Sequence, residues 1–338
     1  MLTLRRGWVV EARAGGEAMQ RLEVDVDGER HSAVADVALV GRAEVDDEVV
    51  VNTAARELGL GSGGFDIVHV NLTRGLGGSG VPGAHVVKLN YTSLQHAVRP
   101  VEGPDLSLPL RMPVAVAFLH GQLAPVAWAF GQAAPGRSLG YVQTAGGALP
   151  GALSRTVGQL RERGLLAGHL TAAPAFGGDG EAITVAGALE HAGAELAWDA
   201  VVCGPGPGIL GSASALGHGG MAALDSAHAA LALGAPTLLV PRMSSGDHRE
   251  RHRGVSHHVV TVLSLLLDGV VVPVPEHADV DVPAGDRHEA RTVAVDLDGY
   301  AESGLPARTM GRELAQDPLF FAAALAGGAA LAGMIAPP

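Results

Sequence analysis

Cysteine is close to absent from this chain: Cys203 is the only one in 338 residues. No disulfide can form within the chain, and this usage fits a reducing, cytoplasmic compartment. Lysine is as scarce, with Lys88 alone, so arginine carries the basic charge. Acidic residues outnumber basic ones and leave a net charge of −12. That balance opposes binding to nucleic acid or to an anionic membrane unless a local basic patch overrides it. The one such patch is Arg249, Arg251 and Arg253, interleaved with Glu250 and histidines, and it suits a small anion better than a long polyanion.

Long apolar runs are missing too, with one exception. The stretch from Leu319 to Pro338 is uncharged, and at about 20 residues it approaches the length of a membrane span. Its Ala and Gly content, the central Gly327-Gly328 and the final Pro-Pro favour a buried terminal helix over an anchor. The N-terminus, MLTLRRGWVVEARAGGE, has neither the apolar core nor the cleavage site of a secretory signal. Aromatic residues make up 4% of the chain while apolar residues reach 47%, so the expected core is built from Ala, Val and Leu in a globular protein.

What is present falls into two parts. From Gly7 to about Val98 short alternating runs, such as Leu22 to Val26 closed by Asp27-Gly28, and Glu48 to Val51, predict antiparallel strands. A small β-barrel or β-sandwich over residues 1–104 is the natural fold for them. Arg99 to Pro113 holds four prolines and no periodicity, which predicts a linker. Residues 113–338 alternate apolar runs with helical segments: Val114 to Leu119, Leu139 to Thr144, His169 to Ala172, Ala200 to Cys203, Thr237 to Val240 and Val270 to Val274 are the runs. Helices are expected around Leu123 to Phe130, Ala152 to Glu162, Ala182 to His191, Ala222 to Leu233 and Val255 to Leu267. The overall class is α/β: a small N-terminal antiparallel β-barrel-like domain, then a doubly wound, Rossmann-like, mostly parallel domain. Right-handed crossovers bring the loops beginning near His120, Thr144, Ala173, Gly204 and Met243 to one sheet edge, where such folds bind ligands.

The most chemically loaded of these loops is RMSSGDHRERHRGVSHH, Arg242 to His258. His257 and His258 open an apolar helix whose dipole favours neutral rings, and a neutral imidazole serves as a base or a metal ligand. Asp247 is a candidate to orient one of the rings, while Arg249 and Arg251 would hold an anion. His252 is a further acid-base candidate; it lies four residues from His248, but no acid stands at the offset of a helical metal motif, so a metal is not favoured. Ser244 and Ser256 lie outside any Gly-x-Ser-x-Gly elbow, and Ser256 reads best as a helix cap. The competing reading of the whole cluster is a structural network that ties a long loop down.

Two glycine-rich loops accompany it. Gly204-Pro205-Gly206-Pro207-Gly208 follows a strand and is either a backbone cradle for an anion or a rigid turn, and it matches neither the dinucleotide fingerprint nor the P-loop. Gly177-Gly178-Asp179 is either a phosphate-approach turn with a catalytic acid, or a turn whose Asp179 caps a helix beginning near Glu181. Thr144 ends a strand at the same expected edge.

Several segments in this order, LNYTSLQ, GGALP, AFGGDGE, GPGI, RERHRGVSHH and TMGRELAQDPLFF, resemble a bacterial family catalogued as domain of unknown function 3866. The likeness reaches back to VVVNTAARELGLGSGG and implies a family membership without an assigned activity. Two positions depart from its pattern: Ala145 stands where an acid is expected, and Ser212-Ala213-Ser214 where Thr-Gly-Thr is expected. The resulting expectation is a cytoplasmic enzyme acting on a small anionic metabolite, phosphorylated ones included, by His and Asp acid-base chemistry, with cofactor and metal open. The alternative is a non-catalytic metabolite sensor or assembly module, and a homodimer is compatible with either.

Overall fold

A computed structural model describes residues 1–13, 18–60 and 64–336. The chain divides into two compact units, Met1–Arg99 and Pro100–Pro338.

In the first unit, β1 (Leu4–Ala12), β2 (Met19–Val26), β3 (Glu29–Asp36), β4 (Glu48–Asn52) and β5 (Asp66–Asn71) close into a barrel in the order β1-β2-β3-β5-β4, with short helices α1 (Val37–Val40) and α2 (Ala54–Glu57) between strands. The period-two pattern explains it: Leu22, Val24 and Val26 of β2 are buried with Val9, Val49, Val51 and Val68, while the residues between them face outward. Asp27 and Gly28 both have positive φ, 54° and 86°, which a tight two-residue hairpin between β2 and β3 requires. The barrel is antiparallel except where β3 meets β5 in parallel, a pairing that local alternation cannot reveal. A short hairpin, β6 (Val86–Lys88) with β7 (His96–Val98), completes the unit.

The second unit is built on an eight-stranded sheet in which every pairing is parallel. Its strands are β8 (Val114–Ala117), β9 (Leu139–Thr144), β10 (Gly168–Ala172), β11 (Gly180–Ala182), β12 (Ala200–Pro205), β13 (Thr237–Val240), β16 (Val271–Pro275) and β17 (Glu289–Val293), in the order β11-β10-β9-β12-β8-β13-β16-β17. A small antiparallel pair, β14 (Met243–Ser244) with β15 (Gly254–Val255), lies in the loop after β13. Helices α3 (Leu123–Ala133), α4 (Arg155–Glu162), α8 (Leu297–Glu302) and α9 (Pro318–Gly333) form one packed group, and α5 (Val185–Ala194), α6 (Ala222–Ala232) and α7 (His257–Leu265) another. Both groups touch β8 and β13, so the sheet is covered on both faces, and all four residues of each of these strands are buried.

Three details differ from the sequence reading. The helix expected from Ala182 starts at Val185, because Gly180–Ala182 pairs with β10 as an edge strand and Thr184 caps the helix through Gly187 N–H. The other edge strand, β17, is half polar and carries no apolar run to betray it. The proline-rich stretch after Arg99 lies against the second unit: Val101 N–H donates to Glu181 O, Glu102 accepts from Ile183 and Thr184, and Leu110 N–H donates to Leu233 O.

The apolar C-terminal stretch is the buried helix α9, and among the described residues no helix is long and apolar enough to cross a membrane. Gly327 and Gly328 have a packing reason. A Cβ on Gly328 would stand 2.2 Å from Val126 O of α3, and one on Gly327 would stand 3.0 Å from Val240 of β13. The two glycines let the helix sit between α3 and the sheet.

Candidate functional site

Topology alone marks a crevice. Adjacent strands β9 and β12 send their connections in opposite directions, β9 to β10 and β12 across β8 to β13, and in open parallel sheets ligands bind where neighbouring connections part at the carboxyl ends. The loops that leave these strands interlock. Leu210 N–H donates to Gly146 O, Gly219 N–H donates to Leu210 O, and a Cβ on Gly219 would lie 2.0 Å from Gly146 O. The second loop ends at His218, whose ring stacks on that of His258 with centroids 3.5 Å apart and planes 11° from parallel.

His258 belongs to α7, whose N-cap is Ser256 with its hydroxyl accepting from His258 N–H. The first turn therefore projects His257 and His258 together, their centroids 4.4 Å apart, while His252 lies 5.0 Å from each. His252 Nδ1 shares a 2.8 Å hydrogen bond with Ser256 Oγ. Four histidines thus form one cluster, and one ring nitrogen from each of His218, His257 and His258 lies within 4.8 Å of the others.

Beside the cluster is a cavity of 290 Å³, walled by Ile209 to Ala213, Arg242, Arg249, Arg251, His252, His258 and Met310. The arginines are fixed from below. Asp247, fully buried, accepts from Arg249 Nε at 2.9 Å, Arg249 Nη2 at 2.8 Å and Arg249 N–H at 3.0 Å, with Arg312 Nη2 at 3.4 Å and Arg242 Nη2 at 3.5 Å. Asp317, also buried, takes Arg312 Nε at 2.9 Å and Ser244 Oγ at 2.7 Å. Among the described residues Arg251 makes no ion pair, and it lies exposed at the cavity wall.

This setting holds the histidines neutral. Burial, then the charge of Arg242, lowers His258 to about 2 and His252 to about 3. His218 and His257 are shifted down chiefly by burial, with Arg242 adding to both. Burial pushes the Asp247 carboxyl up, but hydrogen bonds from Arg249 and the charges of Arg249 and Arg312 outweigh it and hold the group well below the ordinary range. Arg242 falls to about 10 through burial and the neighbouring Arg249.

The residues singled out from the sequence are thus partly gathered. His252, His258, Arg249 and Arg251 share the cavity, and His257 packs beside it. Asp247 lies beneath the arginines and orients guanidinium groups; it hydrogen-bonds no imidazole, so the expected base-orienter pair gives way to an arginine platform. Ser244 braces that platform by donating to Asp317 and accepting from Asp247 N–H. Ser256 is the cap it was read to be.

The first glycine loop is closely packed in part. A Cβ on Gly204 would stand 3.1 Å from Ala117 and one on Gly206 2.3 Å from Ala148 O, so packing alone requires glycine at both; Gly208 has φ of +70° and stands open. It is the continuation, Ile209 to Ala213, that reaches the cavity, and so the departure at Ser212-Ala213 falls on its wall. Thr144 is buried with its hydroxyl on Ala145 O. Gly177, Gly178 and Asp179 fold back on β10: Glu181 accepts from Gly177 N–H, Thr171 Oγ1 from Gly178 N–H, and Asp179 from His169 N–H and Arg161. Asp179 caps no helix, the cap of α5 being Thr184, and it is not among the residues that wall the cavity.

His218, Arg312 and Asp317 were missed. His218 is a lone histidine between glycines, 34 residues before the recognised cluster at His252, and nothing local marks it. Arg312 and Asp317 lie within TMGRELAQDPLFF, a segment noted for likeness without any role.

No curated protein and no solved structure matches the chain. The model of one family does match, over residues 32–328, which runs from within β3 of the barrel through nearly all of the α/β unit, and the chain therefore belongs to the family described as protein of unknown function (DUF3866).

Proposed function

We propose that the protein is an enzyme that binds a small anionic metabolite, a phosphate ester or a free carboxylate among the natural classes, in the cavity at Arg251 and Arg249. The observation that carries this reading is a pre-set arginine platform facing neutral imidazoles across one 290 Å³ space. Guanidinium groups held by buried carboxylates need little reorganisation to receive an anion, and Arg251 has its donors to spare. Of the histidines, His252 and His258 face the cavity as neutral rings; His258 is the more strongly depressed and its Nδ1 already accepts from Arg242, so His252 is the preferred acid-base group. The lone, buried Cys203 suits a reducing, cytoplasmic setting.

The test is a thermal-shift screen of phosphorylated and carboxylated metabolites in the presence of a chelator. Ligand at about 100 times its Kd adds about 2.7 kcal/mol to stability. A shift present in wild type and lost in Arg251→Ala supports the reading; no shift from any anion defeats it. One observation favours a second reading, a binding module without catalysis: no imidazole here is oriented by a carboxylate, since Asp247 is given over to arginine. With a ligand in hand, His252→Gln separates the two, because an enzyme loses turnover while a sensor has none to lose.

A further inference from the structure

We infer that His218, His257 and His258 form a binding site for a divalent transition-metal ion of the zinc class. The inference equips the anion site proposed above with a Lewis acid, and rests on that reading for its role though not for its ligands.

Hydrogen bonding decides which ring nitrogens carry lone pairs. His218 Nε2 lies 2.9 Å from Ala215 O; a carbonyl oxygen only accepts, so Nε2 holds the proton and Nδ1 the lone pair. That Nδ1 is buried and has no hydrogen-bond partner. A backbone carbonyl that fixes one ring nitrogen while the other is left bare is the arrangement that orients metal-bound histidines. His257 Nε2 is likewise buried without a partner. His258 Nδ1 takes a 3.2 Å contact from Arg242 Nη1, and a guanidinium only donates, so this nitrogen also carries a lone pair. Three imidazoles, one from a loop and two from the first turn of α7, therefore converge with one ring nitrogen each inside 4.8 Å, and separately two of these rings, His218 and His257, carry a buried nitrogen without a partner.

The space between them is kept open by a missing side chain. A Cβ on Gly220 would stand 3.0 Å from His218 Nδ1 and 3.1 Å from His258 Nδ1, so any other residue there would crowd both. With bonds of about 2.1 Å, tetrahedral coordination needs nitrogen separations of about 3.4 Å; the nitrogens already lie within 4.8 Å, and the stacked His218 and His258 rings, 11° from parallel, must turn for their in-plane lone pairs to meet at one ion. Three neutral nitrogens and one open position suit Zn²⁺, Co²⁺ or Ni²⁺ and not Mg²⁺ or Ca²⁺, which take oxygen ligands.

The nearby charges set the conditions. Arg242, Arg249 and Arg251 oppose a cation, and Asp247 offsets only part of their charge. An anion in the cavity supplies the rest. His258 both belongs to the triad and lines the cavity, so the metal and the anion would be neighbours. Their binding is then mutually strengthening, by the reciprocity that any such coupling obeys.

The test uses full-length protein stripped with chelator, titrated with Zn²⁺ alone by calorimetry and with Co²⁺ alone by visible absorption. One ion per chain is expected, with Co²⁺ giving the intense bands of a four-coordinate site. His218→Ala and His257→Ala should each weaken Zn²⁺ binding by at least about 100-fold, beyond the cost of losing a mere supporting hydrogen bond. His248→Ala, removing a histidine whose side chain is 85% exposed, should leave binding unchanged. If a variant fails to fold, X-ray absorption of the zinc-loaded wild type decides: about three imidazole ligands support the site, and fewer than two overturn it. No binding at micromolar free zinc, or binding indifferent to His218 and His257, overturns it as well. Because the anion screen is run in chelator and this titration without anion, either proposal can fail alone.

Discussion

Acidification should destabilise the second unit strongly, and the size of the effect follows from its buried histidines. His252, His258 and His169 are only 2%, 4% and 3% exposed, and burial lowers them to about 3, 2 and 4. In the unfolded chain each returns to about 6.5. The unfolded state therefore binds more protons below neutrality, so stability is full above about pH 6.5 and is lost as pH falls towards the folded values. Since all three folded values lie below 5, the loss at pH 5 is set by the unfolded value, about 1.5 pH units at about 1.4 kcal/mol per unit. That is about 2 kcal/mol for each group and about 6 kcal/mol for the three, comparable with the whole stability of an ordinary domain. His120, lowered to about 4 by burial, acts in the same direction. Asp247 adds nothing in this window, because its carboxyl stays ionised in both states until the pH nears the ordinary carboxylate range. The assay is urea unfolding in chelator at neutral pH and at about pH 5, followed by fluorescence of Trp128 and Trp198 in a Trp8→Phe background. His169→Gln should reduce the loss by about 2 kcal/mol. A change of less than about 1 kcal/mol between the two pH values would refute the reasoning, since the rings would then be charged or solvated in the native state.

Further outcomes follow from the packing and the ion network. Asp247→Asn leaves three guanidinium groups without their central anion and should cost about 3–5 kcal/mol in chemical denaturation. Gly328→Ala places a methyl group 2.2 Å from Val126 O and should cost about 1–3 kcal/mol, read as a lowered Tm. Cys203, buried and raised to about 12 by burial, should resist thiol reagents in the native protein and react fully in urea.

The barrel and the parallel sheet were legible because each rests on a local pattern. Alternation in Leu22 to Val26, the Asp27-Gly28 turn, and the short apolar runs that became β8, β9, β12 and β13 state which faces are buried whatever they pack against. The edge strands Gly180–Ala182 and Glu289–Val293 were not legible, since an edge strand is paired on one side and needs little apolar surface.

The candidate site divides along the same line. The sequence by itself determined that Arg242 to His258 joins a strand to a helix, that Ser256 would cap that helix, and that His257 and His258 would share its first turn, because capping and helical period act over a few residues. Only the tertiary structure decided the partners. Asp247 is bound to Arg249, Arg242 and Arg312 rather than to a histidine, and His218 completes the cluster from a loop after another strand. Gly206 packs on Ala148 where an open cradle was one reading of its loop. Such pairings are fixed by strand order, β9-β12-β8-β13, and strand order depends on how the helices pack across the sheet, a property of the whole unit that no short stretch of sequence contains.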